Sequence, residues 1–269
     1  METITIIPPF QTAFNITTNC SDLIDFFKLK YGNYISTFPA QEAETITAIK
    51  KGNIYSIAFL GETISDANAA LAIDKIMFEH TRYDEKIYAL HGGAVEWEGK
   101  ASMLLAPTTS GKSTLTSYLT SRGFGYISDD CILLDRTSFE IYPYTTPIHL
   151  RSGGLRVLEA CGVVPVSLSS LQNENMTKHV YTPLNCVDRP IPLHRIFFIH
   201  RTENENSLSS MNTTERMIAL MKSPITPYSV TADYLSFLSK LSKIDCYELR
   251  YYDMNFVAEV LENEQCPDE

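Results

Sequence analysis

The chain has 269 residues, 44% of them hydrophobic and 20% charged, enough to bury a sizeable core in one or two domains. Its formal net charge of −10 argues against a duplex-binding surface, which must present Lys and Arg to phosphates. No apolar run reaches the roughly 18 residues of a membrane span, so neither a nucleic acid nor a membrane is an expected partner.

Residues 1–85 read as a small N-terminal α/β region. Met1-Glu2-Thr3-Ile4-Thr5-Ile6-Ile7 is a strand halted by Pro8-Pro9, with neither the basic start nor the apolar length of a signal peptide. Ser21 is placed to cap a helix running to Leu29, and Ser65-Asp66 to open a second through Ala69, Ile73 and Met77. Between them, residues 53–60 alternate as a strand does. No chemistry is legible here, so a packing or partner-binding role is expected.

Residues 86–269 form the second predicted domain. Residues 87–95 are apolar and β-rich, and Glu98-Gly99 predicts a hairpin turn into residues 101–105. A loop leads to a helix over Lys112–Ser121, stopped by Gly123. Strands are predicted at 125–127 and 131–134, on either side of Asp129-Asp130. Beyond Ile148 the chain reads as loop-rich, with a polar, mobile stretch at 167–178 and another polar loop at 202–212. A buried-type strand at 195–199, helices at 215–220 and 234–241, a last strand at 246–251 and a helix from Asn255 complete the pattern. Strands alternating with helices imply an α/β sheet.

Six scattered cysteines, with no Cys-x-x-Cys and no clustered His, predict free thiols in a reducing cytoplasm and no zinc.

Ala106-Pro107-Thr108-Thr109-Ser110-Gly111-Lys112-Ser113 matches the Walker A pattern, with Ala in place of the usual first Gly. Amides of Thr108, Thr109, Ser110, Gly111 and on to Thr114 would converge on phosphate oxygens at a helix N-terminus. Gly111 removes the Cβ from the path of the phosphates. Lys112 supplies a mobile charge for the β- and γ-phosphates, and Ser113 a hydroxyl for Mg²⁺. Ala106 can fill the first place only with negative φ. One strand later, Asp129-Asp130 offers two carboxylates in different directions, one for Mg²⁺ and one for the acceptor's proton. Adjacent carboxylates raise each other's cost of ionisation. The plainer reading is an exposed acidic turn.

His91-Gly92-Gly93-Ala94-Val95, the Walker A loop, and Gly123-Phe124-Gly125-Tyr126-Ile127-Ser128-Asp129-Asp130 together resemble the catalytic domain of HPr kinase/phosphorylase. The chain is most similar to the smaller enzymes of that type that phosphorylate lasso-peptide precursors on serine. The resemblance lies in residues 88–156, with a weaker echo at 192–198. It implies an α/β P-loop sheet of the HPr kinase/PEP carboxykinase type, ATP and Mg²⁺ as cofactors, and a peptide substrate. It implies Asp129 as the general base, Asp130 as a metal ligand beside Ser113, and His91 near the transferring phosphate. Arg151, in Leu150-Arg151-Ser152-Gly153-Gly154, corresponds to an Arg-Gly-rich signature and would clamp phosphate. Ser152 stands where the family has Gly and His149 where it has a glutamate, so the full metal arrangement and the reverse, phosphorolytic reaction fall outside what the resemblance carries. Family members often form homo-oligomers. The rival readings are a small-metabolite kinase on the same machinery and a non-catalytic nucleotide sensor. A carboxykinase would need further Lys and His metal signatures that the sequence lacks.

Overall fold

Isoleucine and threonine alternate through the first strands, and this period of two decides which side chains meet a helix layer. The structure is a computed structural model that describes residues 1–107, 110–163, 169–173, 176–223 and 231–263. It divides into two units, Met1–Glu85 and Lys86–Glu269.

The first unit is one sheet in the order β3-β1-β2-β4-β5-β6, with β1 Glu2–Ile6, β2 Phe14–Thr18, β3 Ile35–Ser36, β4 Glu44–Lys51, β5 Ile54–Phe59 and β6 Glu62–Asp66. Helices α1 (Ser21–Tyr31) and α2 (Ala69–His80) bury Phe27 and Ile73 against Ile4, Ile6, Ile16 and Ile46. Thr3 and Thr17 face one another across β1 and β2, their hydroxyls 2.9 Å apart.

Both predicted caps shift. Cys20, extended and without a side-chain cap, holds the N-cap of α1, and Ser21 is already helical. Ser65-Asp66 pairs in β6, because Leu60 and Gly61, both at positive φ, turn β5 back into a hairpin. Asn68 caps α2 instead, accepting from the Leu71 amide at 3.2 Å.

In the second unit, β7 (Ile87–Leu90), β8 (Gly92–Trp97) and β9 (Lys100–Leu105) lead to α3 (Lys112–Ser121). The β8–β9 hairpin turns at Glu98 and Gly99, φ 49° and 79°, the geometry an X-Gly turn favours. Then come β10 (Gly125–Ser128), β11 (Ile132–Asp135), β12 (Glu140–Tyr142), β13 (Ile148–Arg151) and α4 (Ser152–Ala160). β14 (Ser169–Asn173), β15 (Met176–Tyr181), β16 (Ile191–Arg201), β17 (Ser207–Ser210), α5 (Thr213–Met221), α6 (Ala232–Leu241), β18 (Asp245–Tyr251) and α7 (Met254–Glu262) complete it. The main sheet runs β10-β8-β9-β16-β12-β11-β7, with β18 on β16 and β17 on β18. Leu115 and Leu119 of α3, Leu158 of α4 and Val257 of α7 pack in one core with Leu104 and Phe197. Phe237 and Leu241 of α6 and Leu220 of α5 pack in another with Met103, Leu105 and Ile196. Adjacent strand residues thus serve opposite faces, and the sheet is covered on both sides.

Three segments differ from the sequence expectation. The stretch 167–178, expected to be a mobile loop, contributes β14 and part of β15, which pair with each other and with β13; residues 167, 168, 174 and 175 lie outside the described residues. The loop expected at 202–212 contains β17, laddered on β18. Residues 152–160, expected as loop, form α4. In each case main-chain pairing or packing overrides a polar or glycine-rich composition.

The echo at 192–198 has a structural use. Arg195 is 5% exposed and its guanidinium donates to Val260 O at 3.2 Å, Asn263 O at 3.0 Å and Leu261 O at 2.9 Å, closing the C-terminal end of α7. A cation there meets the negative end of the helix dipole and the carbonyls that the helix leaves over. Arg195→Leu is expected to cost about 3 kcal/mol in urea denaturation, because it orphans several buried acceptors at once. An unchanged midpoint would show that water replaces the guanidinium.

Among the described residues no helix is long and apolar enough to cross a membrane, and Cys20, Cys131, Cys161, Cys186 and Cys246 are free thiols.

Candidate functional site

Strand direction gathers the singled-out residues at one edge of the main sheet. β9, β16 and β18 are mutually parallel. β8 is antiparallel to both β9 and β10, so β10 runs with β9. The carboxyl ends of these strands deliver the loop after Leu105, the Asp129-Asp130 turn and Arg201. Gly92 pairs with Leu105, which sets His91 at the same edge. In open α/β sheets this edge is where ligands bind.

The loop between β9 and α3 is bent. The Ser110 amide donates back to Pro107 O at 3.4 Å, and Gly111 is the N-cap of α3 at φ 94°, ψ 10°, a left-handed conformation that favours glycine. Positive φ among the described non-glycine residues is confined to Phe10, Leu60, Glu98 and Phe139, so Ala106 meets the condition its position imposes. Thr108 and Thr109 lie outside the described residues. Lys112, 5% exposed, folds back over the loop: its Nζ donates to Ala106 O at 2.7 Å and Pro107 O at 2.9 Å. Burial pulls its pKa below the usual lysine value, against the opposing charges of Asp130 and Asp129.

The glycine pair Gly92-Gly93 is explained by crowding. A Cβ on Gly93 would lie 2.8 Å from Thr116 Oγ1 of α3, with Ser128 O and Asp129 O at 3.6 and 3.7 Å. Glycine therefore lets α3 and the aspartate turn close on β8. A bulge between Tyr126 and Ser128 breaks the β10 register just before the turn, and bulges re-aim the side chains that follow.

The two aspartates part company there. Asp129 is 2% exposed; no donor among the described residues meets full hydrogen-bond geometry at either carboxylate oxygen, though the Ser113 and Thr116 hydroxyls lie close enough to act on it. Burial, then the neighbouring Asp130 charge, pushes its pKa up to about 8; the Ser113 hydroxyl, Lys112 and the Thr116 hydroxyl act in the opposite direction. Asp130 is exposed and lines the cleft. Its carbonyl oxygen lies 3.1 Å from His91 Nδ1, which orients the ring and directs Nε2 away from the turn. No partner for that buried Nε2 is present among the described residues.

A cleft of about 530 Å³ is lined by Gly111, Lys112, Ser113, Thr114, His91, Asp130 and Arg151, together with His149, Leu150, Gly153, Gly154 and Arg201. Asp129 lies under this surface rather than on it. Ser110 opens with Gly111 onto an adjoining hollow of about 720 Å³ that also has Arg201 and Tyr252 in its lining. Sequence reasoning missed α4, whose N-terminus meets that of α3 here. A Cβ on Gly154 would strike Thr114 Oγ1, so Gly154 marks two helix starts in close approach. Two such N-termini make a cleft favourable for anions. It also missed Arg201. The available signal was a cation at the end of the apolar strand Ile196-Phe197-Phe198-Ile199.

The described residues contain no cluster of three His, Cys, Asp or Glu side chains. A metal here would be held as Mg²⁺ commonly is, by one or two carboxylates, a hydroxyl and the substrate's own oxygens. The exposed Asp130 carboxylate and the Ser113 hydroxyl, which line the same cleft, fit that demand.

No family model matches the chain, and no curated protein matches it. Among solved structures, the Hpr(Ser) kinase/phosphatase from Coxiella burnetii is similar at 11% identity, over 65% of this chain and 91% of that one, with a TM-score of 0.31. The chain is a mixed α/β protein, and that likeness is too distant to assign it to a family.

Proposed function

We propose that the chain is an ATP-dependent kinase that moves the γ-phosphoryl group to a serine hydroxyl of a peptide, of the lasso-peptide precursor type. One observation carries the reading: the buried ammonium of Lys112, first residue of a glycine-capped helix, and the buried carboxylate of Asp129, beside that helix's Ser113 and Thr116 hydroxyls, stand at one sheet edge. Both are costly to bury, and such pairs gather where chemistry needs them.

The loop amides and the α3 N-terminus bind the phosphates, and Lys112 leaves its own carbonyls to reach the β- and γ-oxygens. Arg201 and Arg151 flank the same cleft and add guanidinium contacts to phosphate. Ser113 and Asp130 would hold Mg²⁺, which when bound supplies charge neutralisation on the phosphates. Asp129 takes the acceptor's proton; a carboxylate with a pKa near 8 is a better base at neutral pH than an ordinary one. The free thiols suit a reducing cytoplasm.

The test is incubation with Mg-ATP and a panel of synthetic serine peptides, read by mass spectrometry for an added phosphate. Phosphopeptide is the expected product. Transfer to sugars or other metabolites alone would replace the peptide by a small acceptor, and tight ATP binding with transfer to nothing would make the chain a sensor.

A further inference from the structure

A separate hollow of about 660 Å³ lies beside the loop, and the proposed chemistry has not used it. Leu105, Phe198, Met211 and Ile218 give it an apolar stretch, while His200, Glu215, Lys222 and Glu248 also line it; Ile218 of α5 is 49% exposed. Two observations tie it to the cleft. Lys112 Nζ rests on the carbonyls of Ala106 and Pro107, and a lysine in this position serves the β- and γ-phosphates. Those two residues, which mark the terminal-phosphate end of the site, both line the hollow. His91 lines the hollow and the cleft alike, so the two spaces share a wall where phosphate would be handed over.

We infer that this hollow is the acceptor pocket, and that it receives large aliphatic or aromatic residues flanking the serine to be phosphorylated. The inference rests on the kinase reading above. The acceptor Oγ attacks the γ-phosphorus, the bond from that phosphorus to the β,γ-bridging oxygen breaks, ADP leaves, and the Oγ proton passes to Asp129. The serine stands at the His91 end of the hollow while its neighbours bury against Leu105 and Phe198.

Calorimetric titration of two synthetic peptides, one serine flanked by leucines and one by asparagines, tests the pocket in the presence of Mg²⁺ and a non-hydrolysable ATP analogue. The leucine peptide is expected to bind about tenfold or more tightly than the asparagine peptide, the effect of burying one large aliphatic side chain. Ile218→Glu and, independently, Ala219→Trp should erase that preference while leaving analogue affinity unchanged, which also shows that the variants fold. Equal affinity for the two peptides, or a preference that survives both substitutions, overturns the pocket. The two readings fail separately. Loss of the pocket leaves analogue binding and phosphoryl transfer intact, whereas a wild-type chain that binds no analogue, or never transfers phosphate from ATP, defeats the kinase reading and this inference with it.

Discussion

Asp129→Asn is expected to abolish turnover, keep nucleotide binding, and make the protein more stable. The loss of turnover should be on the order of 10²- to 10⁴-fold, the usual contribution of a positioned base. The stability gain follows from burial. With its pKa raised from 3.8 to about 8, the folded state holds the Asp129 proton more tightly than the unfolded chain does. Near pH 4 the folded state is protonated and the unfolded chain only about half ionised, so the carboxyl costs little extra. As pH rises towards 8 the unfolded chain ionises first, so the wild type loses stability progressively, and above 8 the penalty is complete. Asn cannot ionise, so its advantage should be near zero at pH 4 and grow to a few kcal/mol by pH 8, since each tenfold difference in proton affinity is worth about 1.4 kcal/mol. Melting curves from pH 4 to 8 in magnesium-free buffer check this. An Asn variant that melts at or below wild type throughout would mean that the carboxylate is satisfied in solution and is not held for catalysis.

Such groups stand out in sequence only through their neighbours. The bend at Gly111 and the helix start at Lys112 were legible because a strand, a glycine turn and a helix follow one another in fixed spacing, and the flanking β9 and α3 carry strong periodic patterns. The hairpin at Glu98-Gly99 was legible because few residues tolerate positive φ. The rest was hidden for physical reasons. Gly153-Gly154 argues against a helix by propensity, yet α4 forms there, with Gly154 allowing its close approach to Thr114. β14, β15 and β17 are polar, and their order comes from main-chain ladders with distant strands, which composition does not record. Asp129 and Asp130 look equivalent in sequence; only a β10 bulge and packing against Gly93 bury one and expose the other. Arg201 joins the cleft only because β16 runs parallel to β9, a relation between residues far apart in the chain.

Lys112→Met is expected to reduce turnover by about 10²-fold or more, the common cost of deleting one preorganised charge from a transition state, and to weaken nucleotide binding as well. Its effect on stability separates a functional lysine from a structural one. Burial depresses the Lys112 pKa, so at neutral pH keeping the ammonium charged destabilises the fold. That cost is complete below the folded pKa and fades as pH rises towards the unfolded value of 10.5. Methionine fills similar volume without the charge, so relief of this cost opposes the loss of the two bonds to Ala106 O and Pro107 O. The melting temperature should therefore stay close to wild type while activity collapses. Lys112→Arg should not rescue: its planar fork cannot sit as a point charge over the loop carbonyls and then swing to phosphate. A Met variant that retained turnover would remove the phosphate role from Lys112. One that lost turnover together with several kcal/mol of stability would instead make the lysine a tie holding its own loop.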